Sequence, residues 1–112
     1  MVQKVNSVDE FKELLNDEST PLVVDCYADW CPPCKVSSPQ FEAMSKKYDQ
    51  ARWVKVNVDE QPEIAGAFQV HAIPSFFVLR GKTLLGSVVG ADTKKLEKIV
   101  EKALSSPTPI VS

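Results

Sequence analysis

Apolar residues in this chain recur at helical spacing in some stretches and crowd or alternate at strand spacing in others, and the two patterns take turns from end to end. Ser7-Val8-Asp9-Glu10 has the form of a capping box, and Val8, Phe11, Leu14 and Leu15 then share one helical face, which predicts a helix over 7–16. Residues 22–28 are nearly all apolar and rich in β-branched and aromatic side chains, as a central strand covered on both faces requires. From Pro33 onward Val36, Phe41, Met44 and Tyr48 return at helical intervals. Pro33 suits a first helical turn, whereas Pro39 removes an internal bond and should kink a helix that ends near Tyr48. Residues 52–59 alternate as a strand, and Pro62 opens a short helix carrying Ile64 and Phe68. Two apolar runs, 75–79 and 84–89, flank the turn signal Arg80-Gly81-Lys82 and predict an antiparallel hairpin. Leu96, Ile99, Val100 and Ala103 stripe a last helix over 92–104. The order β-α-β-α-β-α-β-β-α describes a layered α/β domain with a mixed sheet. Residues 106–112 hold two prolines and no period, so they read as an extended tail, leaving 1–105 as one domain.

Composition adds little to that picture except by exclusion. A chain of 112 residues is of single-domain size, and its 44% apolar and 25% charged shares are ordinary for a globular protein. The net charge of −2 comes from 13 basic and 15 acidic residues that are scattered, which argues against nucleic acid or an anionic membrane as partner. Nothing approaches the run of about 18 apolar residues that a membrane span needs. Met1-Val2-Gln3-Lys4 has no apolar secretory core, so the expected location is cytoplasmic. Three cysteines are an odd number, and in a reducing compartment a close pair is more often catalytic or metal-binding than structural.

That pair lies in Trp30-Cys31-Pro32-Pro33-Cys34, directly after the central strand. A thiol attacks a disulfide as thiolate, and Cys31 stands between a strand end and a helix start, where unpaired N–H groups favour negative charge. Cys31 is therefore the expected nucleophile. Cys34, one turn inward, is the resolving thiol, which attacks the mixed disulfide on Cys31 and leaves a Cys31–Cys34 disulfide. Asp25 is unusual inside an apolar strand: buried, it has a raised pKa and can accept the proton of Cys34, with Lys55 of the next strand moderating the shift; alternatively it faces solvent and does nothing. Pro32 and Pro33 remove two N–H groups and stiffen the loop. The metal alternative uses the same two thiols, but a structural zinc site wants four ligands and only Cys26 and His71 remain.

These residues resemble the thioredoxin family over nearly the whole chain. The family's signature, Trp-Cys-Gly-Pro-Cys-Lys after an apolar strand with an Asp, stands here as Asp25 followed by Trp30-Cys31-Pro32-Pro33-Cys34-Lys35. Its Ile-Pro-Thr element stands as Ile73-Pro74-Ser75. The resemblance implies the thioredoxin fold, a central five-stranded mixed sheet flanked by four helices. It implies Cys31, Cys34, Asp25 and Lys55 as the catalytic group and a cis Pro74 opposite the dithiol. Trp30, Pro32, Pro33, Ile73, Pro74, Val89, Gly90 and Ala91 become the surface that receives substrate, with backbone groups around Ile73 pairing to an extended segment. It further implies a monomer that reduces disulfide-containing proteins, holds no bound cofactor or metal, and draws electrons from NADPH through thioredoxin reductase.

The departures are specific. Pro32 replaces the usual Gly, as in some plant thioredoxins, nucleoredoxins and tryparedoxins; Tyr27 stands where Trp is frequent and Cys26 where Phe is frequent. Asp-Cys-Tyr-Ala is worded most like fungal and other eukaryotic cytosolic members. Cys26 alternates with Asp25 and should fill the opposite side of the sheet. His71 reads as a surface residue, and Trp53, Phe76 and Phe77 as core. An oxidising or isomerising relative and a binding module with an incidental dithiol are the competing functions.

Overall fold

The computed structural model describes residues 1–105, so the expected tail lies outside the described residues. Five strands, β1 (Val2–Lys4), β2 (Leu22–Tyr27), β3 (Arg52–Asn57), β4 (Ser75–Arg80) and β5 (Thr83–Val89), form one sheet in the order β1-β3-β2-β4-β5. The first three are parallel, β4 runs antiparallel to β2, and β5 runs antiparallel to β4 and so in the direction of the first three. Helices α1 (Val8–Leu15), α2 (Pro32–Lys47), α3 (Pro62–Ala67) and α4 (Thr93–Ser105) complete the expected mixed sheet with four helices.

The nearly all-apolar run becomes β2, a central strand covered on both faces. Val23 points with Phe41 and Met44 of α2 and Leu96 and Val100 of α4 into one core; Leu22, Val24 and Cys26 point with Phe11 of α1 and Ile64 of α3 into the other. Each such large apolar side chain contributes about 1.5–3 kcal/mol on burial. Trp53, Phe76 and Phe77 are core residues as expected. Phe41 packs edge-on against Trp53 and stacks on Phe76, with ring centroids 5.1 and 5.7 Å away.

The capping box forms in modified guise. Ser7 Oγ accepts the Glu10 N–H at 3.1 Å, while the Glu10 carboxylate reaches back to the Asn6 N–H at 3.2 Å rather than to that of Ser7. In the β4–β5 hairpin Gly81 takes φ +58, a left-handed conformation that glycine adopts without a steric cost. β5 begins at Thr83, one residue earlier than its apolar run.

The inward face of α2 differs from the one its apolar spacing suggests. Val36 does not face the core but is 62% exposed; the inward stripe is Cys34, Ser37, Phe41, Met44 and Ser45. Two serines on that stripe disguise its phase, and they tolerate burial because Ser37 Oγ donates to the Cys34 carbonyl (3.2 Å) and Ser45 Oγ to that of Glu42 (2.6 Å). Pro39 stands inside the continuous helix on its exposed side, as does Lys35, whose carbonyl loses its partner.

Candidate active site

The site forms where β2 leaves the sheet. Ala28, Cys31 and Cys34 make a small buried cluster of their own against Tyr27, Val58 and Ile73. Cys31 is the N-cap of α2, with extended backbone, and Pro32 and Pro33 occupy the first two helical positions, where absent N–H groups cost nothing. Cys31 and Cys34 are joined as a disulfide with Cα atoms 5.3 Å apart. The Cys34 N–H points at Cys31 Sγ at 3.3 Å. Both cysteines are nearly buried, while Pro32 and Pro33 are exposed.

Across from the sulfurs, the Ile73–Pro74 bond is cis, and the Ile73 carbonyl oxygen lies 3.8 Å from Cys31 Sγ. Ser75 Oγ donates to the Ala72 carbonyl, tying down the turn that precedes β4. The Gly90 N–H donates to the Pro74 carbonyl at 2.8 Å, so the hairpin ladder continues one step past Val89 and sets Gly90 beside Pro74. Gly90 has φ +96, outside the range of ordinary L-residues. Val89 is 68% exposed, and Ala91 is exposed next to it. Ile73, Pro74, Val89, Gly90 and Ala91 thus share one end of the sheet with the disulfide.

Trp30 is placed differently. Its ring is 67% exposed and stands outside the buried cluster, and its indole N–H donates to the Asp59 carboxylate at 2.8 Å. Asp59 was not expected at the site. Asn57 holds it there: its side-chain oxygen accepts the N–H groups of Asp59 (2.9 Å) and Glu60 (3.2 Å), turning the chain after β3 toward the tryptophan. The signal was present in Asn57-Val58-Asp59 as an Asx turn at a strand end.

Behind Cys34 lies a cleft of about 240 Å³ whose lining includes Asp25, Cys34, Ser38 and Lys55. Asp25 is 5% exposed and its Oδ1 has no hydrogen-bond partner. Burial pushes its pKa up to about 7, against a downward pull from the Lys55 charge. Lys55 is directly opposite Asp25 in the β2–β3 register, yet among the described residues the ion pairs are Lys4–Glu60 and Lys47–Glu97, with none to Asp25. The Lys55 ammonium instead sits over the Tyr27 ring, 5.7 Å from its centroid, within cation–π range.

Cys26 lies in the other core, fully buried, and burial, reinforced by the charge of Asp25, pushes its thiol up to about 12. His71 is exposed. Among the described residues no group of three or more His, Cys, Asp or Glu is placed to hold a metal ion.

A redox-active pair at a helix start, facing a cis-proline, is the arrangement the sequence resemblance implied. The chain matches the Thioredoxin family over residues 2–102. It is 40% identical to Thioredoxin-1 of Schizosaccharomyces pombe over 104 residues, covering 93% of this chain and 100% of that one. It is 37% identical to the mitochondrial Thioredoxin-3 of Saccharomyces cerevisiae, with 87% and 76% of the two chains covered. The crystal structure of thioredoxin from Trypanosoma brucei brucei superposes with a TM-score of 0.90 at 26% identity, covering 95% of this chain and 93% of that one. The chain belongs to the thioredoxin family and is a thiol-disulfide oxidoreductase.

Proposed function

We propose that this protein reduces disulfides of substrate proteins through Cys31 and Cys34 and is returned to its dithiol form by thioredoxin reductase with electrons from NADPH. The observation that carries the reading is the placement of Cys31: N-cap of α2, bonded to Cys34, and facing the Ile73–Pro74 carbonyl edge. In the reduced protein the Cys31 thiolate attacks a substrate disulfide, forming a mixed disulfide and releasing one substrate thiolate. Cys34 then passes its proton to Asp25, directly or through water in the cleft, and attacks Cys31 Sγ. The second substrate thiolate leaves, and the Cys31–Cys34 disulfide holds the two oxidising equivalents that the reductase removes.

Trp30, Pro32, Pro33, Ile73, Val89, Gly90 and Ala91 form the docking surface in this reading, with Pro74 presenting the backbone edge. Lys55 supplies the positive charge that tempers Asp25. Asp25 must be ionised to accept a proton, so resolution accelerates as pH rises through about 7. Residues 1–105 form the working domain, and the protein acts as a cytoplasmic monomer.

Insulin reduction with thioredoxin reductase and NADPH tests the core of the proposal. The unmodified protein reduces insulin, and Cys31→Ser falls to the rate of the blank. Absence of reduction by the intact dithiol removes the proposal. Persistence in the Ser variant moves the nucleophile elsewhere. Analytical ultracentrifugation and imaging of a tagged chain test the remaining points, a dimer or a mitochondrial signal being the contrary results. Mitochondria are the relevant contrast because a yeast relative is named for them.

A further inference from the structure

Two partners compete for one ammonium in this site. Asp25 and Lys55 are paired across β2 and β3, both beside the same cleft, and opposite charges so placed ordinarily close into an ion pair. Here they do not: Lys55 Nζ lies over the ring of Tyr27, two residues along β2 from Asp25 and on the same side of the strand, and Asp25 Oδ1 stays without a hydrogen bond. Lys55 keeps partial contact with solvent in this position, whereas closing on a nearly buried carboxylate strips both charges of water.

We propose that Tyr27 is a positioning residue whose ring holds the Lys55 ammonium away from Asp25, leaving a carboxylate oxygen beside Cys34 free to take a proton. The inference rests on the proposed role of Asp25 as proton acceptor. The other groups that face the cleft do not replace this control. From α2 come Lys35, exposed to solvent, together with Cys34 and the neutral hydroxyl of Ser38; from the β2–α2 loop comes Asp29, also exposed. β4 sets apolar Phe76 opposite Asp25. Lys55 is thus the cation nearest in register to Asp25, and an aromatic ring at position 27 decides where it rests.

The test is the titration of the Asp25 carboxyl, followed by carbon-13 NMR in the oxidised protein. Tyr27→Leu removes the ring, lets Lys55 close on Asp25, and lowers the midpoint by about one pH unit or more. Tyr27→Phe retains the ring and the midpoint. In a Lys55→Met background Tyr27→Leu adds no downward shift. A Tyr27→Leu midpoint that stays in place, or that falls equally without Lys55, overturns the proposal. The unmodified protein supplies a second measurement that needs no variant to fold: the Lys55 ε-methylene protons show an upfield ring-current shift, and its absence overturns the proposal as well. Failure of the underlying reading looks different. Asp25→Asn would then leave mixed-disulfide resolution at its original rate, while the coupling among Tyr27, Lys55 and Asp25 would still be judged by the titrations.

Discussion

Cys26 and Cys34 are both buried sulfurs within one stretch of chain, and only one of them is equipped to exchange electrons. Cys26 sits in the interior of β2, packed among Val24, Val56 and Ile64, where burial pushes its thiol far above physiological pH. Cys34 sits in the first turn of α2, bonded to the cap residue and adjoining a cleft that contains a carboxylate. Burial is common to both, so burial does not confer reactivity. The difference lies in a partner sulfur at bonding distance, a helix start that favours anionic sulfur, and a neighbouring group for the proton.

The comparison breaks most visibly by exchanging the thiols' fates. Cys34→Ser leaves Cys31 able to capture substrate but unable to release it, so insulin turnover falls to the blank and mixed disulfides accumulate on non-reducing gels. Cys26→Ser keeps turnover within about twofold. Comparable loss in both variants would erase the distinction.

Next in size is the effect of the buried carboxylate on stability. An unfolded Asp loses its proton near pH 4 and the folded Asp25 near 7, so between these values the folded state binds more protons and stability falls as pH rises. Asp25→Asn should therefore stabilise the oxidised protein above pH 7 by up to roughly 4 kcal/mol, with the gain vanishing near pH 4. Urea unfolding at the two pH values measures this, and a pH-independent difference would show that Asp25 is not held neutral.

Cys26 yields a smaller, pH-independent effect. Cys26→Ser places a hydroxyl among apolar side chains and should cost about 1–3 kcal/mol in urea unfolding at either pH. The smallest effect belongs to Asp59. Asp59→Ala removes one hydrogen bond to an exposed indole, worth about 1 kcal/mol, and should raise the KM for a protein substrate a few-fold while lowering Trp30 fluorescence anisotropy.

Much of this was written in the spacing of apolar residues. The run at 22–28 and the stripe of Leu96, Val100 and Ala103 each have one arrangement that buries them, and the structure adopts it. β1 was not placed on particular residues because three residues are too few to show a period. α2 was read out of phase because Val36 looks apolar and Ser37 does not, whereas a hydroxyl bonded to the preceding turn buries readily. The dithiol and Pro74 were visible as short motifs. The Trp30–Asp59 and Tyr27–Lys55 contacts were not, because each joins residues far apart in sequence: the Asx turn at Asn57 is a local signal, but the side chain that meets Asp59 is set, like the strand register, by tertiary placement.

The N-cap position of α2 carries a consequence for evolution as well as for chemistry. Helix starts favour an oxygen there, from Ser, Thr, Asp or Asn, and a sulfur is a weaker acceptor. With Pro32 and Pro33 contributing no N–H, the Cys34 N–H is the donor turned toward that sulfur. In the reduced protein, selection for fold stability alone would drift Cys31 toward serine, gaining about 1 kcal/mol of helix capping and ending electron transfer. Selection on stability and on redox work thus pull in opposite directions at a single atom, where a drifting gene would first exchange function for robustness.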